Sequence, residues 1–197
     1  FGFIAGIKSN QWKTALHDFL ENKIIPEKRS LLCAEVFRNK KSVHTEHALN
    51  DIVVTSKKTM QTIRLNVEAN EIPFGKFKAD GMIIATSTGS TAYSLAAGGP
   101  IVDPALDTII FNPVSAFSLS VRPLVLPGET ILKITVLPSR NYDFMLSCDG
   151  QVHADIEEGD CIVIKQSPYK ALLVGCSADV FYEALRSKLH WSGGLFA

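Results

Sequence analysis

Short apolar runs separated by turn residues dominate the chain beyond residue 108. They read TIIF, FSLS, PLVL, TILKITVL, DFMLS, CIVIKQ and ALLVG, and Pro, Gly, Asn and Asp lie between them. Runs of this length and spacing are typical of short strands in an antiparallel sandwich or barrel-like assembly, rather than of alternating strands and helices. The pattern therefore predicts a mainly β fold with a few helices.

The remaining segments mix helical and strand patterns. Apolar residues of segment 11–23 fall on one helical face, and a second helical pattern covers 181–191. Strand patterns occupy 30–38, 51–56 and 61–69, the last with clear alternation. The polar segment 39–47 is expected to be a connection between strands.

Composition narrows the class of partner. The chain has 197 residues, 46% of them hydrophobic, and 20 basic residues balance 20 acidic ones. This balance argues against a nucleic-acid binder and against a polybasic membrane anchor, and no apolar run approaches the roughly 20 residues that cross a bilayer. The four cysteines are widely spaced and form no metal-binding pair, so we expect free thiols in a cytoplasmic protein and no structural metal.

Residues 80–100, DGMIIATSTGSTAYSLAAGGP, concentrate the candidate chemistry. Segment 81–86 is predicted to be a buried strand, and a hydroxyl-rich turn follows, in which Gly89 can take a positive φ without strain. A helix should then run until Gly98 and Gly99, with Pro100 after it. The candidate N-cap residues of this helix are Ser87, Thr88 and Ser90.

A strand that leads through such a turn into a helix suits a polar ligand. The N-terminal end of a helix attracts phosphate or ribose groups, the Tyr93 ring offers a stacking surface, and Asp80 can accept a hydrogen bond. A structural helix with Tyr93 as packing remains the alternative. The turn matches neither GxGxxG nor the P-loop, so the residues alone predict a nucleotide site and no further detail.

Several motifs carry a family resemblance. Segment 80–104, DGMIIATSTGSTAYSLAAGGPIVDP, resembles the signature of the NAD kinases, which make NADP from NAD with ATP or polyphosphate as the phosphoryl donor. Further matches are ALND at 48–51, SLSVRPLVLP at 118–127, SCDGQ at 147–151 and FYEALRSKLHW at 181–191. They follow in one order along nearly the whole chain, and on them the chain is identified as a member of that family.

The resemblance implies a set of NAD-binding residues. They are Asn50, Asp51, Lys78, Asp80, Thr88, Thr91, Ala92, Tyr93, Ser94, Ala96 and Gln151. Asp51 stands where the family usually has Glu. Lys78 and Asp80 match positions that in some relatives act across a subunit interface, and a homodimer or homotetramer is implied. Without the resemblance, 50–51 and 149–150 would be interpreted as ordinary turns.

The resemblance also implies a β-sandwich-like C-terminal domain of the NAD kinase fold, without the N-terminal α/β domain. We expect 1–30 to be the end of that first region and a connecting helix, 31–180 the NAD-binding domain, and 181–197 a C-terminal helix and tail. Mg²⁺ is the implied metal. The family's GGDG loop, with its catalytic Asp, is absent from this sequence.

The absent loop leads to an expectation about activity. We expect this chain alone to hold the NAD-binding part and no catalytic residue, and to be inactive, because phosphoryl transfer needs a carboxylate or metal near the attacking oxygen. A non-catalytic NAD- or NADP-binding module is the alternative. A lipid kinase is disfavoured by the TGSTAYS segment.

Overall fold

The computed structural model describes residues 3, 6–58, 61–138 and 143–191. The chain divides into two compact units, one formed by 1–29 with 170–197 and the other by 30–169. The three-part division predicted from the sequence stays a prediction. Helices α1 (Trp12–Leu20) and α3 (Ala178–Leu189) belong to the first unit, and both were predicted from their periodicity. None of the helices in the described ranges has the length and apolar content for crossing a membrane.

Twelve strands form the framework of the described structure. They are β1 (Glu27–Arg38), β2 (Lys41–Ala48), β3 (Asp51–Ser56), β4 (Ile63–Ala69), β5 (Ile72–Ala79), β6 (Gly81–Thr86), β7 (Thr108–Val114), β8 (Leu124–Pro127), β9 (Leu132–Val136), β10 (Phe144–Cys148), β11 (Val152–Ile156) and β12 (Cys161–Leu173). Two six-stranded antiparallel sheets form, in the orders β2-β1-β12-β9-β4-β5 and β11-β10-β3-β6-β7-β8. The predicted mainly β, sandwich-like fold is confirmed.

The main core contains buried side chains from strands of both sheets. Leu32 and Ile63 come from the first sheet, and Ile52, Met82 and Phe111 from the second. Burying apolar area at about 25 cal/mol per Å² makes this core the main source of stability. A smaller cluster, which includes the alternate residues Val53 and Ile83, covers the other face of the second sheet.

That second face carries the candidate site, because side chains of a strand alternate between its two faces. In β3, Ile52 and Val54 belong to the main core, so the odd-numbered residues 51, 53 and 55 face the other way. In β10, Phe144 and Leu146 belong to the core, and Met145 and Ser147 alternate with them. Strands β3 and β10 are hydrogen-bonded neighbours, with Val53 opposite Ser147.

Several sequence-based expectations were wrong. The polar segment 39–47 is mostly strand β2, and only Asn39 and Lys40 form the turn, with φ of 51° and 62°. Because β2 lies at a sheet edge, polar residues are tolerated along it. Segment 117–120 is not a strand. Strands β5 and β11 were not predicted, since each is polar or interrupted by glycine or proline.

Candidate functional site

A pocket of about 450 Å³ opens on the second sheet, within the unit 30–169. Its volume falls in the range of small-molecule sites. Strands β3, β6 and β10 supply the floor, and the segment after β6 supplies one wall. The lining residues are Asn50, Asp51, Val53, Thr55, Asp80, Gly81, Ala92, Tyr93, Val114, Met145, Ser147, Asp149 and Gly150.

The segment Leu49–Asp51, which we call the corner, is held by hydrogen bonds on every backbone group. The Asp149 carboxylate accepts the N–H groups of Leu49 (2.8 Å), Asn50 (2.7 Å) and Asp51 (3.1 Å). The Leu49 carbonyl accepts from Thr86 Oγ1 at 2.6 Å and the Asn50 carbonyl from Thr86 N at 2.9 Å. The Asp51 carbonyl accepts from Asp149 N at 3.0 Å. Two residues, Thr86 and Asp149, therefore fix the backbone that carries Asn50 and Asp51.

The turn after β6 lies against this corner. Thr86 Oγ1 also accepts the Gly89 N–H at 2.9 Å, which begins a 3₁₀ turn over Thr88–Thr91. Gly89 does not use the positive φ that is open to a glycine. Glycine is needed there for another reason: an added Cβ would lie 2.0 Å from the Asn50 carbonyl oxygen. Contact with the backbone of the corner therefore decides the residue at position 89.

The predicted helix is shorter than expected. Helix α2 spans only Tyr93–Ala96, and neither it nor the 3₁₀ turn has a side-chain N-cap, so the prediction of Ser87, Thr88 or Ser90 as caps was wrong. The Ser90 hydroxyl instead accepts a hydrogen bond from the Val102 N–H and donates one to the Val102 carbonyl, each at 3.1 Å. The helix end is as predicted, with Gly98 at φ 80°.

A buried side-chain amide is hydrogen-bonded to helix α2. Asn112 on β7 is fully buried, and its Nδ2 donates to Ser94 O at 3.0 Å and to Ser94 Oγ at 3.2 Å. Ser94 is itself fully buried. These bonds fix the turn of helix that presents Tyr93, whose side chain is 46% exposed at the pocket.

Asp51 is a buried carboxylic acid, only 4% exposed. Burial, together with the nearby charge of Asp149, raises the pKa of Asp51 to about 6, although a hydrogen bond from the Tyr93 backbone N–H partly offsets this. That N–H joins α2 to the start of β3. The first N–H of α2 is therefore already bonded to a carboxylate, whose negative charge disfavours a phosphate at this helix end.

The charges of the pocket favour hydrogen-bond donors. Among its described lining residues, Asp51, Asp80 and Asp149 are acidic and none is basic. Carboxylates accept hydrogen bonds from hydroxyl and amine groups and repel phosphate. Val53, Val114 and Met145 add apolar surface, and Tyr93 adds an aromatic ring. The combination suits a nucleoside, with its ribose hydroxyls and flat base.

Comparison with known proteins decides the family. Residues 49–176 match the family model described as the ATP-NAD kinase C-terminal domain. The chain belongs to the NAD kinase family. A protein named NAD kinase from Treponema denticola is 48% identical over 193 residues, which are 98% of this chain and 68% of that protein. The NAD kinase of Treponema pallidum (strain Nichols) is 44% identical over 197 residues, all of this chain and 65% of that protein.

Solved structures agree with this family assignment. A crystal structure of yeast NADH kinase complexed with NADH has a TM-score of 0.88 at 27% identity, covering 100% of this chain and 57% of that one. An NAD kinase from Archaeoglobus fulgidus in complex with ATP shares the fold, with a TM-score of 0.73 at 24% identity over 92% of this chain and 66% of that one. The chain spans about two thirds of the length of its curated NAD kinase relatives.

The structure brings together five of the residues expected from the NAD kinase resemblance. Asn50, Asp51, Asp80, Ala92 and Tyr93 all line the pocket. Three separate segments of sequence contribute them: the corner, the start of β6 and the start of α2. The family resemblance implied that these residues bind one ligand, but it did not give their arrangement in space.

Six other expected residues do not line the pocket. Thr91 Oγ1 donates to the carbonyl of Thr88, Ser94 is the buried residue of α2, and Ala96 is exposed at the end of that helix. Thr88 is buried, and its Oγ1 has no hydrogen-bond partner in the described part of the chain. Lys78 Nζ lies 4.3 Å from the centre of the Phe117 ring, beside a different pocket. Gln151 is exposed on the hairpin after β10.

Asp149 is the residue of the candidate site that sequence reasoning missed. It was interpreted as part of a hairpin turn, and it does form that turn, with φ of 50° beside Gly150 at 67°. Its carboxylate also reaches the corner about 100 residues earlier in the chain. Alternation along β10 could have indicated which side chains face a ligand, but the pairing of β10 with β3 has no local signal.

No group of three or more His, Cys, Asp or Glu side chains suitable for a metal ion occurs among residues 3, 6–58, 61–138 and 143–191. Asp51 and Asp149 are close enough to interact, but the second carboxylate is occupied by backbone N–H groups. The described residues therefore do not fit a resident Mg²⁺ site.

Proposed function

We propose that this chain is the NAD-binding part of an NAD kinase, which phosphorylates the 2′-hydroxyl of the adenosine ribose of NAD to give NADP. The observation that carries the proposal is the acidic pocket in which Asn50, Asp51 and Tyr93 meet. Family membership supports it, as does the likeness to the yeast NADH kinase complexed with NADH.

In this proposal the pocket binds the adenosine end of NAD. The Tyr93 ring lies against the base, and the Asp51 carboxylate accepts a hydrogen bond from a ribose hydroxyl. Charge-assisted bonds of this kind are about twice as strong as neutral ones. The absence of cationic side chains among the described lining residues favours the neutral nucleoside over the pyrophosphate.

The proposed reaction forms a bond between the 2′-oxygen of the ribose and the terminal phosphorus of ATP or polyphosphate. The bond from that phosphorus to the bridging oxygen of the donor breaks, and ADP or the shortened polyphosphate leaves. The hydroxyl proton passes to the Asp carboxylate of the GGDG loop, which the family resemblance assigns as the base and which this sequence does not contain. This chain contributes acceptor positioning, which is a large part of catalysis in phosphoryl transfer.

Tyr93→Ala is expected to weaken NAD binding about 5- to 150-fold, the range for loss of one base–aromatic stack worth about 1–3 kcal/mol. Tyr93→Phe keeps the ring and should bind within about threefold of wild type if stacking carries the contact. Isothermal titration calorimetry with NAD measures both variants.

The matched control is Tyr182→Ala. Tyr182 is 45% exposed, close to the 46% of Tyr93, and it does not line the pocket. Its removal should leave NAD affinity unchanged. Equal affinities for Tyr93→Ala and Tyr182→Ala would show that the Tyr93 ring does not contact NAD. The main support for the proposed site would then be lost.

We also expect that these 197 residues alone bind NAD without converting it. The sequence contains no GGDG, so the carboxylate that the family resemblance assigns as the base is absent from it. An assay for NADP formation with ATP or polyphosphate should give only background. NADP formation that grows with protein concentration, and that a Tyr93→Ala preparation purified in parallel lacks, would refute this expectation and exclude a contaminating kinase.

Mg²⁺ remains a proposed requirement of the reaction. When bound, it would offset the charge of the donor phosphates, which are commonly among its ligands together with water. Because the described residues offer no cluster for it, we assign no step in this chain to the metal.

We propose a cytoplasmic homodimer or homotetramer, as the family resemblance implies. Phe117 and Leu119 are 74% and 90% exposed, and apolar side chains so exposed favour contact with another subunit. All four cysteines are free, and burial raises the pKa of each thiol, so they are poor nucleophiles suited to a reducing compartment.

A further inference from the structure

The Asp149 carboxylate is committed to backbone groups rather than open to a ligand. Three of the roughly four lone-pair positions of a carboxylate are taken by the N–H groups of Leu49, Asn50 and Asp51. The bonds run from 2.7 to 3.1 Å, within the normal range. The Asp149 side chain can therefore affect a ligand indirectly, by fixing the backbone that carries Asn50 and Asp51.

The turn itself does not require an acid at position 149. Residues 149 and 150 have φ of 50° and 67°, and Gln151 N donates to Cys148 O at 3.1 Å. Asparagine or glycine fits such a left-handed turn at least as well as aspartate. The carboxylate is therefore explained by the corner and not by the hairpin.

We propose that Asp149 is a positioning residue of the nucleotide pocket, which holds the corner so that Asn50 and Asp51 face the nucleotide and whose charge moves upward the pH range in which Asp51 accepts a hydrogen bond as an ionised carboxylate. This inference rests on the proposed function. Asp149 has no contact with the reacting atoms in it.

The charge effect follows from the groups that surround Asp51. Burial raises the pKa of Asp51 most, the charge of Asp149, from the β10–β11 turn, raises it further, and the Tyr93 N–H, from α2, lowers it. Cys148 at the end of β10 stays neutral, because burial raises its pKa to about 12. Asp80 lines the same pocket but is exposed. Strand β6, opposite Asp51, contributes Ala85 and no charge.

Two substitutions separate the parts of this role. Asp149→Asn keeps one acceptor oxygen and the left-handed turn, but it removes the charge and turns an amide N–H₂ toward the other donor. Asp149→Gly removes the whole side chain without backbone strain. We expect NAD affinity at pH 7.5 to fall about tenfold for Asn and about 100-fold for Gly, as one and then three backbone hydrogen bonds are lost.

The pH dependence distinguishes positioning from a merely structural role. In wild type, NAD affinity should rise between about pH 5 and 7, because a ribose hydroxyl binds the ionised Asp51 better than the protonated acid. In Asp149→Asn the midpoint should fall below about pH 6 but stay above the ordinary aspartate value near about pH 4, because burial, the larger cause of the raised pKa, remains. ¹³C NMR titration of the Asp51 carboxyl in the free protein should give the same movement without NAD.

Asn70→Gly is the matched control. Asn70 also lies in a hairpin turn with φ of 50°, and its Oδ1 accepts the N–H of Ile131 at 2.8 Å, but it belongs to the other sheet. Its replacement should lower stability and leave both NAD affinity and the pH midpoint unchanged.

The outcomes are distinguishable. Wild-type affinity and an unmoved Asp51 titration in Asp149→Asn would overturn the inference, even if Asp149→Gly failed to fold. No NAD binding by wild type would defeat the proposed function. In that case the carboxyl titration still decides whether Asp149 controls Asp51.

Discussion

Gly89→Ala is expected to unfold the nucleotide pocket and to abolish NAD binding. The new Cβ would lie 2.0 Å from the Asn50 carbonyl oxygen, 2.5 Å from its carbonyl carbon and 2.7 Å from its Cα. All three are backbone atoms of the corner, which Thr86 and Asp149 hold in place, so no side chain can move aside. We expect a loss of at least about 3 kcal/mol in the free energy of unfolding, at the upper end for overpacking.

Chemical denaturation and NAD calorimetry measure this effect. Gly98→Ala is the control, because Gly98 has φ of 80° but a Cβ added there would meet nothing within 4 Å. That variant should cost only about 1 kcal/mol, the strain of a left-handed alanine. Gly89→Ala as stable as Gly98→Ala, with unchanged affinity, would contradict the close approach of the turn to the corner.

Asp51→Asn is expected to stabilise the fold at neutral pH while it weakens NAD binding. In the unfolded chain the Asp51 carboxyl has its ordinary pKa near 4, whereas in the folded chain it is about 6. Below about pH 4 both states hold the proton. As the pH rises from about 4 to 6 the unfolded state ionises first and is favoured, and above about 6 the penalty is complete, at about 3 kcal/mol.

The measurement is the free energy of unfolding of both proteins at about pH 4 and pH 8. The variant should match wild type at the lower pH and exceed it by up to about 3 kcal/mol at the higher, since an amide has no charge for burial or Asp149 to oppose. Asp155→Asn, at a side chain that is 80% exposed and paired with Lys57, should change stability by less than about 0.5 kcal/mol. A variant no more stable than wild type at the higher pH would refute the raised pKa.

A stabilising substitution that removes function is the mark of a residue retained for binding. A buried carboxylate lowers stability unless something in the fold or the ligand uses it. Asp51 has one backbone donor, from Tyr93, and a neighbouring carboxylate that opposes its charge. The proposed ribose hydroxyl supplies the missing donor, which links the energetic cost to the ligand.

Local patterns predicted much of this fold. The alternation of 61–69, the mostly apolar run of β6 and the amphipathic α1 and α3 follow from local side-chain patterns, which depend only on near neighbours. Strands β2 and β5 were not predicted, because both are edge strands, where solvent permits polar residues on either face. Their pairing partners, and not their own composition, make them strands.

Some residues of the candidate site could be predicted from the sequence, but their arrangement in space could not. The TSTGSTAY segment and Asn50–Asp51 could be singled out, yet the pocket exists because β3 lies between β6 and β10, strands that are distant in sequence. Asp149 and Gly89 depend on the same packing. Their roles, a carboxylate over three N–H groups and a glycine against a carbonyl, become visible only when the corner is in place.

A crystal structure of this chain with NAD tests the proposed site most directly. We expect electron density for the adenosine in the pocket, with its base against the Tyr93 ring and a ribose hydroxyl within hydrogen-bond distance of the Asp51 carboxylate. NAD bound elsewhere on the chain, with this pocket empty, would contradict the proposed site.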